Sequence, residues 1–300
     1  MHEADFEEKD FEGPLYNQLL FGSNLIATPG QVFEGHFGLD AALHAGHPLF
    51  WDMFGFHDVP PGVILPHFNW GWVWRRLGAV RPLPPFAVNL LVQSKRPDVL
   101  KGPNQSLQPF GIRKSYWRFK TKQNQQSLLA KLANTLGNRA FVVYASAAFD
   151  TFDALYLHTQ NNTIVENSAF VRIDRMQNHH TWNYDVPGMT GVAMSDPEFI
   201  REEPILQQLE TIASEVESQG PLAELQSLEK LVVTSIYEAE ENSFADYVRQ
   251  TDENRTTYVN ELTPRLGDAG KSFFHLVSLF SLLDLEWFVV TPPNRQTTKA

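Results

Sequence analysis

Apolar residues recur along the chain with two different periods, and each period predicts one kind of element. Phe33, Phe37 and Leu39 lie at alternate positions, which predicts a strand within residues 32–43. Short apolar runs of the kind found in buried strands occur at residues 86–92, 140–145, 168–173 and 287–291. The sequence therefore predicts a sheet whose strands come from well-separated parts of the chain.

Other segments show the period of a helix. Leu and Ala recur through residues 124–136, and Gly137 is placed to end that helix. Acidic helices are predicted at 198–219 and 221–242, and residues 272–283 form the most apolar helix. The first acidic helix has an apolar stripe, formed by Ile205, Leu209, Ile212 and Val216. We expect that stripe to pack against the apolar helix, which is too short to span a bilayer.

These patterns divide the chain into three parts. Residues 1–30 are a helical lead-in that is broken at Gly22. Residues 31–190 form the core, with an irregular insertion at 44–85 that is rich in His, Trp, Pro and Gly. Residues 191–300 are an acidic, mainly helical C-terminal region, which we expect to be folded and packed on the core.

Composition excludes several classes of protein. The chain has 300 residues, of which 43% are hydrophobic and 20% charged, so it is neither disordered nor a polytopic membrane protein. It contains no cysteine, which excludes disulfide scaffolds, cysteine zinc fingers and cysteine nucleophiles. Its acidic N-terminus lacks an apolar signal core, so we expect a cytoplasmic, soluble protein without membrane association.

Charge is distributed unevenly along the chain. The net charge is −11, yet the segment from Arg75 to Arg139 holds thirteen basic residues and one acid, Asp98. Residues 196–261 instead hold sixteen acids and four bases. The basic segment fits a nucleic-acid surface, because Lys and Arg neutralise phosphates. It fits equally well a surface that packs against the acidic region.

The strongest chemical signal stands at the end of the strand at 86–92, in Gln93-Ser94-Lys95-Arg96. Side chains two positions apart share one face of a strand, so Gln93 and Lys95 are expected to point the same way and Ser94 the opposite way. An amide oxygen beside an ammonium group suits a metal ion and a water molecule, provided that a carboxylate lies nearby. Asp40 and Glu34 are the candidate carboxylates.

Asp40 followed by Gln93-x-Lys95 resembles the PD-(D/E)XK nuclease superfamily, in which some branches carry Gln before the catalytic lysine. Glu34 and Gly38-x-Asp40 precede the strand, while a Gln-rich helix and the strand at 140–145 follow it. The resemblance covers roughly residues 30–175. It implies an α/β (α+β) fold of the restriction-endonuclease type, with a mixed central sheet flanked by helices.

The resemblance also implies a reaction, namely metal-dependent hydrolysis of phosphodiester bonds. Asp40, Gln93 and the backbone near Ser94 would bind Mg²⁺ or Mn²⁺, assisted by Glu34, and Lys95 would orient or deprotonate a water molecule. Expected contacts to nucleic acid are Arg96, Arg75, Arg76, Lys114, Arg118, Lys120 and Gln126. The substrate is expected to be DNA rather than RNA, in the setting of restriction or anti-phage defence.

The residues leave several alternatives open. Asp52 or Asp58 could replace Asp40 as the metal-binding acid, because the distance in sequence from Asp40 to Gln93 is long for this superfamily. A module that kept the fold but binds nucleic acid or protein without catalysis is the second hypothesis.

Two further alternatives rest on other segments. Asp40, His44 and His47 have helical spacing that suits a zinc hydrolase. Trp70, Trp72 and Trp74 suit either a stacking platform or a core. The acidic C-terminal region is a candidate surface for a partner protein or a homo-oligomer.

Overall fold

The computed structural model describes residues 2–19, 26–28, 42–44, 88–215 and 221–290, which form a mixed α/β fold. The strands are β1 (His2–Glu3), β2 (Ile26–Thr28), β3 (Ala42–His44), β4 (Val88–Lys95), β5 (Asp98–Leu100), β6 (Tyr116–Lys120), β7 (Ala140–Ala147), β8 (Ser168–Arg172), β9 (Thr181–Tyr184), β10 (Thr190–Met194), β11 (Glu198–Arg201) and β12 (Glu286–Val290). The helices are α1 (Glu8–Leu19), α2 (Gln123–Leu136), α3 (Phe152–Gln160), α4 (Ile205–Glu215), α5 (Pro221–Tyr237) and α6 (Ser243–Leu282).

A four-stranded sheet in the order β12-β4-β7-β8 forms the centre of the described fold. β4 and β7 are parallel, with Lys95 opposite Ser146, while β12 and β8 run antiparallel to their neighbours. The two central strands are buried along nearly their whole length, as their apolar sequences predict. Because they are parallel, their carboxyl ends reach the same edge of the sheet, and the predicted Gln93-x-Lys95 motif lies there.

A second sheet of six antiparallel strands has the order β1-β5-β6-β9-β10-β11, and β2 pairs with β3 separately. One face of this sheet contributes Phe119, Trp182 and Tyr184 to the larger hydrophobic cluster. That cluster also contains residues of α2, α5 and α6 and one face of the central sheet. The opposite face of the central sheet packs against residues of α1, α3 and α4.

Most predicted elements are present, but the boundaries and one packing partner differ. The predicted helix at 198–219 is strand β11 followed by α4, and the predicted helix at 272–283 is the last part of the 40-residue helix α6. The expected contact between them is wrong. Ile205 and Leu209 pack in the cluster that contains Leu90 and Phe288, whereas Leu276 packs in the cluster with α2 and α5. Both faces of the central sheet are apolar, and α4 packs on one face while the last part of α6 packs on the other.

The described residues of the C-terminal region, 191–215 and 221–290, form strands and helices, and part of their charge meets the basic segment. Lys131 Nζ lies 3.8 Å from a carboxylate oxygen of Glu238, and Arg139 Nη1 lies 3.9 Å from one of Glu224. Lys131 belongs to α2 and Arg139 to the turn that follows α2, whereas Glu224 belongs to α5 and Glu238 comes directly after α5. In the described ranges, no helix is both long and apolar enough to cross a membrane.

Candidate active site

Gln93 and Asp284 meet at the carboxyl end of β4. Gln93 Nε2 donates a hydrogen bond of 2.8 Å to Asp284 Oδ2. The Gln93 side chain is 1% exposed, and its Oε1 atom is buried with no hydrogen-bond partner in the described part of the protein. A buried amide oxygen without a partner is costly, because it has lost its hydration without compensation. Gln93 therefore offers an oxygen ligand beside a carboxylate.

Asp284 reaches this position through the sharp turn between α6 and β12. Its φ angle is +59°, in the left-handed region that Asp and Asn tolerate better than most residues. β12 then pairs antiparallel with β4, with Glu286 opposite Val92. This pairing brings the end of a distant helix to the Gln93 position.

Lys95 shares the face of β4 that Gln93 occupies, as the alternation predicts. Burial lowers the pKa of its ammonium group, while the carboxylates of Glu8 and Asp284 partly oppose that effect. The Nζ atom lies 5.7 Å from the centroid of the Tyr144 ring, which is itself buried. The site therefore holds a lysine that releases its proton more readily than a lysine in water.

Helix α1 supplies two further carboxylates, from Glu8 and Glu12, which lie one helical turn apart. Burial raises the pKa of both groups, and Lys95 counteracts the effect at Glu8. The Glu8 carboxylate also accepts a hydrogen bond of 3.3 Å from the backbone N–H of Arg96. Phe11 and Leu15 anchor the helix in the core and so fix where these acids stand.

Arg96 is bound by the N-terminal segment in this structure. Its Nη1 atom lies 3.0 Å from Glu3 and 3.1 Å from Glu7, and Nη2 donates to the backbone carbonyl of Ala4. A phosphate contact, the role expected from the sequence, would require Arg96 to exchange these carboxylates for the ligand.

Ser94 and Gln126 are held in structural hydrogen bonds. The Ser94 hydroxyl lies 3.1 Å from the hydroxyl of Tyr16, on the face of β4 opposite to Gln93. Gln126 accepts a hydrogen bond from the hydroxyl of Tyr144 and donates one of 3.0 Å to the carbonyl of Ile173. Gln126, which is 4% exposed, thus holds Tyr144 below Lys95, and both groups of its amide are engaged within the protein.

The predicted basic contacts Lys114, Arg118 and Lys120 lie in or beside β6, which belongs to the six-stranded sheet. Lys114 and Lys120 are exposed, and Arg118 Nη2 lies 3.3 Å from Asp98 Oδ2. These residues therefore belong to a different sheet from Gln93 and Lys95.

Several predicted residues lie outside the described residues, namely Glu34, Asp40, Asp52, Asp58, Arg75, Arg76, His47 and Trp70, Trp72 and Trp74. The structure therefore does not place Asp40 or Glu34 relative to Gln93. His44 ends strand β3, so the backbone there is extended and does not form the helix that the zinc hypothesis required.

Glu8, Glu12 and Asp284 were not predicted as site residues. The i, i+4 spacing of Glu8 and Glu12 was visible in the sequence, but their distance from Gln93 along the chain concealed the relationship. Asp284 stands between an apolar helix and an apolar strand, where a polar residue also fits a simple turn. Only the pairing of β12 with β4 identifies it as a neighbour of Gln93.

Among the residues that the structure describes, no group of three or more His, Asp or Glu side chains is arranged to share a metal ion. Comparison with protein-family models, curated proteins and solved structures found no match to this chain.

Proposed function

We propose that this protein is a metal-dependent nuclease whose active site lies at the carboxyl end of β4. The observation that carries the proposal is the buried Gln93 amide, whose oxygen has no hydrogen-bond partner among the described residues. The same amide donates a hydrogen bond to the Asp284 carboxylate, and Lys95 follows Gln93 by two residues on the same strand. A buried oxygen that is left without a donor fits a cation better than it fits a closed protein core.

The donor set agrees with Mg²⁺ or Mn²⁺. Gln93 Oε1 and the Asp284 carboxylate are oxygen ligands, which these cations prefer, and Mg²⁺ commonly retains several waters and needs few protein groups. Glu8 is a third candidate ligand from α1, and Asp40 and Glu34 remain candidates from the sequence. When bound, the metal would polarise the phosphate and lower the pKa of a bound water.

Lys95 supplies the proton chemistry. Its pKa is lowered by burial, so the neutral amine is more accessible at moderately alkaline pH than for an exposed lysine. In its charged form, the ammonium stabilises negative charge on a phosphate. Tyr144, held by Gln126, limits the positions that the lysine can adopt.

The substrate is nucleic acid, and we expect DNA in preference to RNA. A role in restriction or anti-phage defence would follow from the resemblance to PD-(D/E)XK nucleases. Exposed basic residues on the neighbouring sheet support a polyanionic substrate.

Cleavage of labelled DNA and RNA with Mg²⁺ or Mn²⁺ tests the proposal. We expect the wild-type protein to degrade nucleic acid and Lys95→Met to lose at least about 100-fold in rate, the usual contribution of a positioned acid or base. Lys230→Ala is the matched control, because Lys230 is exposed on α5. Equal cleavage by the wild type and Lys95→Met would refute the proposal, whereas binding without cleavage would favour the non-catalytic module.

A further inference from the structure

One face of the six-stranded sheet, which we call the outer face, lies opposite the face that joins the main core. Directly opposed residues in antiparallel strands point to the same side of a sheet. The pairings Arg118–Asn183, Asn183–Val192 and Val192–Phe199 therefore place one row of side chains across this face. Lys120 pairs with Thr181, and Arg201 pairs with Thr190, which adds two cations to the same side.

An aromatic pair stands at one end of that row. The Phe199 ring is stacked on the Phe110 ring, with centroids 6.4 Å apart and planes inclined by 5°. Phe199 is 46% exposed although it is a large apolar side chain. Phe110 packs against a small hydrophobic cluster formed by Leu107, Ile112, Tyr116 and Val192. The stack is therefore supported by this cluster and presents an aromatic surface to solvent.

Basic residues occur in the segments that carry the aromatic pair and on β6. Residues 99–149 contain no Asp or Glu, and the exposed basic residues that follow Phe110 are Arg113, Lys114 and Lys120. Arg201 is exposed on β11, two residues after Phe199.

Three of the acids near this face have basic or imidazole partners. Asp98 pairs with Arg118 at 3.3 Å, Glu198 with the ring of His179 at 3.3 Å, and Glu202 with Arg175 at 3.0 Å. Asp196 and Glu203 are exposed on either side of β11, so the excess of positive charge lies towards β6 and the segment before it, where Arg113, Lys114 and Lys120 are exposed.

We propose that the outer face binds single-stranded nucleic acid, with a base stacked on Phe199 and phosphates held by Arg113, Lys114, Lys120 and Arg201. Bases stack on aromatic side chains only when they are not already stacked and paired in a duplex, which selects the single strand. Charge complementarity selects a polyanion over a neutral or basic protein surface. This inference deepens the proposed nuclease function by naming the form of nucleic acid that the protein recognises. The biological purpose of the binding rests on that proposed function, but the binding itself does not require catalysis.

Binding measured without divalent cations tests the outer face separately from catalysis. Fluorescence anisotropy in EDTA would compare a labelled 20-nucleotide dT strand with a duplex of the same length. We expect the single strand to bind more tightly and Phe199→Ala to weaken its binding by about 5- to 150-fold, the range for loss of one base–aromatic stack. Phe152→Ala is the matched control, because Phe152 is 51% exposed but lies on α3.

Salt dependence provides the second readout. Each lost phosphate contact should reduce the slope of log K against log salt by about 0.7 for a single strand, so Lys114→Ala should show that change and Lys230→Ala should not. Tighter binding of the duplex, or unchanged binding by Phe199→Ala, would overturn the inference even if the protein proves to be a nuclease. Phe199-dependent binding by a protein that cleaves nothing would retain the inference and refute the proposed function.

Discussion

Gln93 and Asp284 are 191 positions apart in the chain, yet the Gln93 amide donates a 2.8 Å hydrogen bond to the Asp284 carboxylate. The bond links the end of a central strand to the turn that follows the longest described helix. Because β12 returns along β4, the turn is held at the edge where the parallel strands end. Asp284 is therefore a carboxylate in direct contact with Gln93 of the Gln93-x-Lys95 motif.

Asp284→Asn should abolish most of the proposed nuclease activity while leaving the fold intact. Asn tolerates the left-handed conformation at this position and can still accept a hydrogen bond from Gln93, but it removes the charge that would bind a cation. We expect a loss of at least about 100-fold in cleavage rate, similar to the loss of a positioned catalytic group. Asp268→Asn, at an exposed position on α6, is the control. Full activity of Asp284→Asn would exclude Asp284 from the site.

Glu8→Gln should lower the pKa of Lys95 further. Burial already lowers that pKa, and the Glu8 carboxylate opposes the shift by stabilising the ammonium form. Removing the carboxylate leaves burial less compensated, so the lysine should lose its proton at a lower pH. The measurement is an NMR titration of lysine side chains labelled at Cε, with Glu241→Gln as the exposed control. An unchanged or increased pKa would show that Glu8 does not act on Lys95.

His275 should cause the free energy of unfolding of the protein to fall as the pH becomes alkaline. Its ring lies between two carboxylates, with Nδ1 2.7 Å from Glu229 and Nε2 2.9 Å from Asp252. Burial acts to lower the pKa of His275, but the hydrogen bonds and charges of both carboxylates outweigh it and raise the pKa to about 9. Tyr237 donates to Asp252 and Ser272 donates to Glu229, so both acids are held in place.

A raised pKa means that the folded protein retains a proton that the unfolded chain releases at lower pH. The stabilisation is therefore complete below the ordinary histidine pKa of about 6.5 and is lost as the pH rises through about 9. We expect the free energy of unfolding, measured with urea, to differ by at most about 3 kcal/mol between these two pH values, because solvent screening reduces the effect. His275→Gln should remove this dependence and His180→Gln should retain it. The same slope in both variants would contradict the role of His275.

Gly191→Ala should destabilise the six-stranded sheet. A Cβ atom there would lie 2.6 Å from the backbone carbonyl oxygen of Asn183 and would also overlap the Trp182 ring. Both neighbours are buried, so the strands must shift, at an expected cost of about 1–3 kcal/mol in the free energy of unfolding.

Gly13→Ala is the matched control for that substitution. Gly13 lies within α1, and nothing beyond its two chain neighbours lies within 4 Å of an added Cβ. Pro14 follows it and disfavours a side chain on a helical residue, which offsets the helix preference of alanine, so we expect stability to change by less than about 1 kcal/mol in either direction. Chemical denaturation of both variants measures the two effects. Equal stability of Gly191→Ala and the wild type would show that the sheet accommodates the methyl group.

The sequence by itself determined the elements whose signal is local. Apolar runs located β4, β7 and β8, the Leu and Ala spacing located α2, and Gly137 ended that helix as expected. Alternation along a strand was also sufficient to place Gln93 and Lys95 on one face and Ser94 on the other, because that property depends only on neighbouring residues.

Tertiary structure alone decided which distant groups meet. The apolar stripe of α4 could pack on either face of a sheet that is apolar on both sides, and the helical period does not distinguish the two. Likewise, Glu8 and Asp284 are ordinary acids in the sequence and become partners of Lys95 only when α1 and β12 pack against β4. Electrostatic interactions depend on the distance between groups in space. The pairing of β12 with β4 sets that distance, and the local sequence does not.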